Sequence, residues 1–155
     1  MKTYKNEIIL VSILLFLDQL TKYLIMSKFI LGQTVVLLPF FQLTYITNTG
    51  VSFGMFSGGN KLFALFTAVV LAGFIFWYIK NKATLTRWLK LALIMIISGA
   101  AGNLIDRIVH GAVIDFLEFH YKNHYFPVFN IADSCISAGG VILFISVLHS
   151  EFKRK

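Results

Sequence analysis

The chain has 155 residues and a formal net charge of +7, with 57% of its residues hydrophobic, 14% charged, and a mean hydropathy of +0.78. A soluble domain carries about a quarter charged residues, so this composition excludes water as the main solvent for the surface. The positive charge does not point to nucleic acid, because the basic residues sit in short segments between apolar runs, as topology signals do, and not in a stripe interleaved with aromatics; the single cysteine, Cys135, excludes an intrachain disulfide.

The length fits one domain over residues 1–155. The first apolar stretch covers about 7–26. It follows Lys2 and Lys5, as a cleavable leader would, but Asp18 and Gln19 interrupt it and no small-x-small site follows, so it reads as a retained span. Within it, Asp18 and Lys22 are four apart on one helix face with the acid first, the favourable order for an ion pair. A structural pair is the simpler reading, and a substrate-positioning role is compatible with it.

A loop over about 27–61 follows. Its Leu43-Thr44-Tyr45-Ile46-Thr47 run has strand composition, and Gly32, Pro39, Gly50, Gly54, Gly58 and Gly59 punctuate it. This predicts a small sheet on the outer membrane surface. The second and third apolar stretches cover about 62–79 and 88–105. The third ends in Ser98-Gly99-Ala100-Ala101-Gly102-Asn103-Leu104-Ile105-Asp106-Arg107, where small residues let another helix approach closely. Asn103 and Asp106 share a face there, either as a hydrogen-bonded helix end or as groups ordering a site.

The next loop, about 107–130, is rich in aromatics suited to the interface, among them Tyr121, Tyr125 and Phe126. Inside it, Val113-Ile114-Asp115-Phe116-Leu117 sets one carboxylate in an apolar stretch, a costly placement without a purpose. Glu118, His120 and His124 form a rival cluster. The two histidines are four apart, a metal-ligand spacing on a helix, although solvated interfacial histidines are commoner. The fourth apolar stretch, about 131–148, begins after Asn130, a good N-cap, which puts Asp133 in the first turn. Taken alone, Asp133 is explained by the helix dipole. Cys135 reads as a small buried residue.

Each of the four stretches approaches the ~20 residues that cross hydrocarbon as a helix, the form lipid requires of a backbone. Lys2, Lys5, Lys80, Lys82, Arg87, Lys90, Lys153, Arg154 and Lys155 fall on one side of such a bundle, which predicts both termini in the cytoplasm and both long loops outside. The predicted fold class is a membrane all-α core of four transmembrane helices with a small extracytoplasmic β element. Asp115 and Asp133 then come to one depth on the outer side. Two close carboxylates do not both ionise easily, so such a pair supplies one base and one acid, as in aspartic proteases. Spacing alone does not demonstrate contact. A transporter or proton relay, and a non-catalytic assembly subunit packing through Gly99 and Gly102, are the competing readings.

Five motifs narrow the choice: Asp18-Gln19-Leu20-Thr21-Lys22, Asn48-Thr49-Gly50-Val51-Ser52-Phe53, Gly102-Asn103-Leu104-Ile105-Asp106-Arg107, Val113-Ile114-Asp115-Phe116, and Phe126-Pro127-Val128-Phe129-Asn130-Ile131-Ala132-Asp133-Ser134. In this order, between four spans, they make the chain resemble the bacterial lipoprotein signal peptidases, or type II signal peptidases, over nearly its full length. The resemblance implies an aspartic endopeptidase of the bacterial cytoplasmic (inner) membrane. It would cut the signal peptide from a prolipoprotein just before a diacylglyceryl-modified cysteine. The catalytic dyad maps onto Asp115 and Asp133. Asp18, Lys22, Asn48, Gly50, Asn103, Asp106, Arg107 and Asn130 map onto residues that order the site and substrate. No metal and no organic cofactor is implied; membrane lipids and globomycin-type lipopeptide inhibitors are the further partners, and nucleic acid is not. The family's Asn-x-Gly motif often continues Ala-Ala and follows an Arg; here those positions are Val51-Ser52 and Thr47.

Overall fold

The computed structural model describes residues 4–50 and 59–152. Val51, Ser52 and Phe53 of the second motif, the turn glycines Gly54 and Gly58, and Lys2, Lys153, Arg154 and Lys155 lie outside the described residues. Four helices follow the apolar stretches: α1 (Lys5–Lys28), α2 (Asn60–Asn81), α3 (Arg87–Val109) and α4 (Ile131–Phe152). All four are long and apolar enough to cross a membrane. Large apolar side chains on α2 stay exposed, including Leu62, Leu65, Phe66, Val69 and Phe76, as expected of a surface solvated by acyl chains.

The helices outrun the apolar runs. α3 starts at a Thr86 cap, whose hydroxyl accepts from the Leu89 amide, and continues to Val109. His110 still donates to the Asp106 carbonyl, and Gly111, at φ 74°, provides the left-handed exit. Arg107, expected at the start of the outer loop, therefore sits in the last turn of α3.

Between and after these helices lies an antiparallel sheet in the order β1-β2-β3-β4: β1 (Thr34–Leu38), β2 (Phe41–Asn48), β3 (Val113–Tyr121) and β4 (His124–Tyr125). The expected strand at Leu43–Thr47 falls inside β2. The nine-residue β3 is a finding, since that segment read only as an aromatic loop. Its first four residues are all buried, so both faces carry apolar side chains and the alternation that marks a half-exposed strand is missing. Asp115 pairs across to Ile46 and Val113 to Asn48, after a register irregularity between Leu43 and Ile46.

α3 is the central helix, packed on α4, α1 and α2. Its small residues make the α3–α4 contact. A Cβ on Gly99 would collide with the Ala132 carbonyl oxygen, and one on Gly102 would lie 2.5 Å from an Asp18 carboxylate oxygen. At the end remote from the sheet, Tyr78, Leu93 and Ile94 form a core cluster. There Lys82 pairs with Glu7 at 2.7 Å, Tyr78 donates to the same carboxylate at 3.3 Å, and the Lys82 ammonium lies over the Tyr4 ring. Glu7 is thus half-buried and paired.

Candidate active site

The chain folds back on itself to build the site. After β4, Phe129 bonds to β3: its amide donates to the Leu117 carbonyl at 3.0 Å, and its own carbonyl accepts from the Leu117 amide at 2.8 Å. This contact delivers the next residue, Asn130, against Asp115. Asn130 is fully buried, and its side-chain amide donates to Asp115 Oδ1 at 2.7 Å.

Asn130 also caps α4 as the sequence predicts. Its Oδ1 accepts from the Asp133 amide at 2.8 Å, while Asp133 Oδ2 accepts from the Asn130 amide at 3.3 Å, a reciprocal capping box. One residue therefore holds both carboxylates, Asp115 by its side chain and Asp133 by its backbone. Asp133 is both a helix-start residue and a cavity-lining one, so the capping explanation and a chemical one do not compete.

A second set of residues ties α1 and α3 to this pair. Lys22, 1% exposed, lies 2.9 Å from Asp18 and 2.7 Å from Asp106, and it donates to Asn103 Oδ1 at 3.1 Å. Asn130 donates to the same Oδ1, so the Asn103 amide nitrogen must turn the other way, and it meets Asp133 at 2.7 Å. Asp18 has a further task that spacing did not reveal: it accepts from the Ala132 amide at 2.8 Å, satisfying the first turn of α4. Asp106 accepts from the Ile114 amide at 3.1 Å and so pins the start of β3. Gln19, noted in the sequence as an interruption of the first apolar stretch and not as a site residue, donates its amide to both Asp18 and Asp106, at 3.1 and 2.9 Å. Breaking such a buried ion cluster by removing one partner costs ~3–5 kcal/mol, because a charge is left uncompensated.

The remaining predicted residues close the network from the β2 side. Asn48 donates to Asp115 Oδ2 at 3.3 Å, and its Oδ1 accepts from the Gly50 amide at 3.0 Å. Arg107 donates to the Gly50 carbonyl at 3.0 Å. All ten predicted positions are thus brought into one connected network.

Asp115, Asp133, Asn48, Asn103 and Arg107 line a cavity of about 600 Å³. Its other wall is apolar, from Phe66, Val70 and Phe74 on α2 to Ile96 on α3 and Ile136 on α4. Burial and the nearby charge of Asp133 push the Asp115 carboxyl up to about 7, against the hydrogen bonds from Asn48 and Asn130. Near neutral pH this group can hold or release a proton.

The rival cluster takes a different form. His120 and His124 lie on the paired strands β3 and β4 and not on one helix turn. Glu118 accepts from Gln42 and Thr44, and the His120 ring stacks on Tyr125 with both nitrogens buried and without a partner among the described residues. The expectation of solvated histidines therefore fails at His120. Among the described residues, no three His, Cys, Asp or Glu side chains gather as metal ligands.

The family model described as signal peptidase (SPase) II matches residues 10–149. A lipoprotein signal peptidase from Thermodesulfovibrio yellowstonii is 45% identical, with 94% of this chain and 95% of that protein covered. One from Symbiobacterium thermophilum is 38% identical, with 95% and 97% covered. A bacterial membrane enzyme solved by the in meso method at 2.3 Å resolution superposes with a TM-score of 0.89 at 30% identity, covering 97% of this chain and 92% of that one. With its four membrane-spanning helices and these matches along almost its whole length, the chain belongs to the signal peptidase II family.

Proposed function

We propose that this protein is a single-domain aspartic endopeptidase that removes the signal peptide from diacylglyceryl-modified prolipoproteins, cutting just before the lipidated cysteine. The observation that carries the reading is the pair of carboxylates, Asp115 and Asp133, bonded to one residue and lining one cavity between the helices and the sheet. Family membership supports the substrate class. One carboxylate takes a proton from water as it attacks the scissile carbonyl; the other donates a proton to the departing amide nitrogen. Asp115, held up near 7, serves as the protonated partner at rest, and Asp133, at a helix N-terminus and receiving donors from Asn103 and Asn130, as the base. The pair titrates as a unit, so these roles describe its resting state.

The surroundings suit a lipid-anchored peptide. The apolar wall formed by α2, α3 and α4 continues from the carboxylates into the span region, where acyl chains and the apolar signal segment can stay out of water. The signal peptide must unwind to be cut, and β strands beside the cavity offer partners for its freed backbone. In this reading the termini are cytoplasmic and the site faces the outer side of the bacterial inner membrane, where the lipidated cysteine is anchored. Globomycin-type lipopeptides compete for the same cavity. The test is cleavage of a lipidated prolipoprotein by the purified protein, wild type beside Asp115→Asn and Asp133→Asn. Each variant should remain folded and lose turnover entirely. Near-normal turnover in either stable variant would sink the dyad and reopen the transporter reading.

A further inference from the structure

Asn60 opens α2 with its side chain turned away from its own helix. The N-cap position of α2 is Gly59, which has no side chain to cap the helix, and Asn60 follows as the first helical residue. Its amide nitrogen donates to the Arg107 carbonyl on α3 at 3.0 Å, and its buried Oδ1 has no partner among the described residues. A buried acceptor left unsatisfied calls for a compensating role, and the hydrogen bonds beyond Arg107 supply one. Arg107 donates to the Gly50 carbonyl at 3.0 Å, the Gly50 amide donates to Asn48 Oδ1 at 3.0 Å, and Asn48 donates to Asp115 Oδ2 at 3.3 Å.

The Gly50 peptide decides how the Asn48 amide lies. Its N–H occupies Oδ1, so the NH2 must face Asp115, and Arg107 holds Gly50 from the other side of its Cα, through the carbonyl of the next peptide. Asn60 holds the backbone from which Arg107 reaches. We infer that Asn60 is a positioning residue for Asp115, acting through Arg107, Gly50 and Asn48 to keep an amide donor on that carboxylate. This rests on the dyad reading proposed above.

The consequence is specific. The Asn48 donor opposes the upward shift of Asp115, so loosening it lets that carboxyl hold its proton to higher pH. The charged groups around Asp115 are Asp133 on α4, Asp106 and Arg107 on α3, and Asp18 and Lys22 on α1. Asn48 and Asn60 do not titrate, so a moved pH limb would report the hydrogen bond and not a lost charge.

The experiment compares full-length purified wild type with Asn60→Leu, Asn60→Asp, Asn60→Gln, Asn48→Ala and the double variant Asn48→Ala/Asn60→Leu, on a lipidated prolipoprotein across pH. Asn60→Leu should lower kcat ~2- to 10-fold, the scale of one lost hydrogen bond, with KM little changed, and should move the alkaline limb upward. Asn60→Asp, which cannot donate to a carbonyl, should lower kcat likewise, and Asn60→Gln should restore part of it. The double variant should be no slower than Asn48→Ala alone. If Asn60→Leu does not fold, the isosteric Asn60→Asp decides by kcat. An unchanged kcat and limb in Asn60→Leu, or losses that multiply in the double variant, would overturn the inference. Turnover by Asp115→Asn would instead overturn the dyad reading, whatever Asn60 does.

Discussion

Asp115 and Lys22 are both almost fully buried, and opposite solutions keep them there. Lys22 is neutralised by two carboxylates and an amide oxygen, so its charge is satisfied inside the bundle. Asp115 has amide donors and, among the described residues, no ion-pair partner, and its carboxyl rises to about 7. This difference separates a charge held fixed by its partners from a carboxyl able to exchange a proton near neutral pH. If Asp115 must be protonated to act, turnover should fall as pH rises through about 7, where that carboxyl loses its proton. The base must be ionised, so turnover should also fall on the acid side, giving a bell. A profile flat from pH 6 to 9, measured as kcat on a lipidated substrate, would remove Asp115 from the acid role.

At the scale of elements, three junctions place the site: the Phe129 bond to β3, the Asn130 cap of α4, and the close α3–α4 packing around Gly99. The cap and the small-residue stripe were legible in the sequence because each is a local pattern with a local cause. β3 was not, because burial on both faces hides strand periodicity. Nor was the bond from Asp18 to the Ala132 amide, which joins residues 114 positions apart. The packing gives a direct prediction. Gly99→Val should force α3 from α4, since even a Cβ would meet the Ala132 carbonyl. The expected loss is ~1–3 kcal/mol, typical of overpacking, with activity falling as Asn103 and Asp133 separate. Thermal unfolding in detergent measures it; an unchanged midpoint would contradict the tight interface.

At the scale of the whole molecule, the helices form a bundle whose central member is α3, with the sheet at one end and the Glu7–Lys82 pair at the other. The carboxylates lie near the sheet end, and the basic residues Lys80, Lys82, Arg87 and Lys90 lie toward the opposite end. The orientation proposed from them predicts that reporters fused after residue 155 and inserted near residue 58 report opposite sides of the membrane. Reporters on the same side would refute the four-span topology. Hydropathy, capping and ordered motifs are written along the chain, and they suffice for the four apolar spans, the α4 cap and the family. That Asp115 and Asp133 share Asn130, that Lys22 is shared by two acids, and that Asn60 and Gln19 join the network follows from the folded arrangement alone. Those facts depend on hydrogen-bond directions between residues far apart in the chain, and an amide's orientation is set by whichever neighbours the fold brings to it.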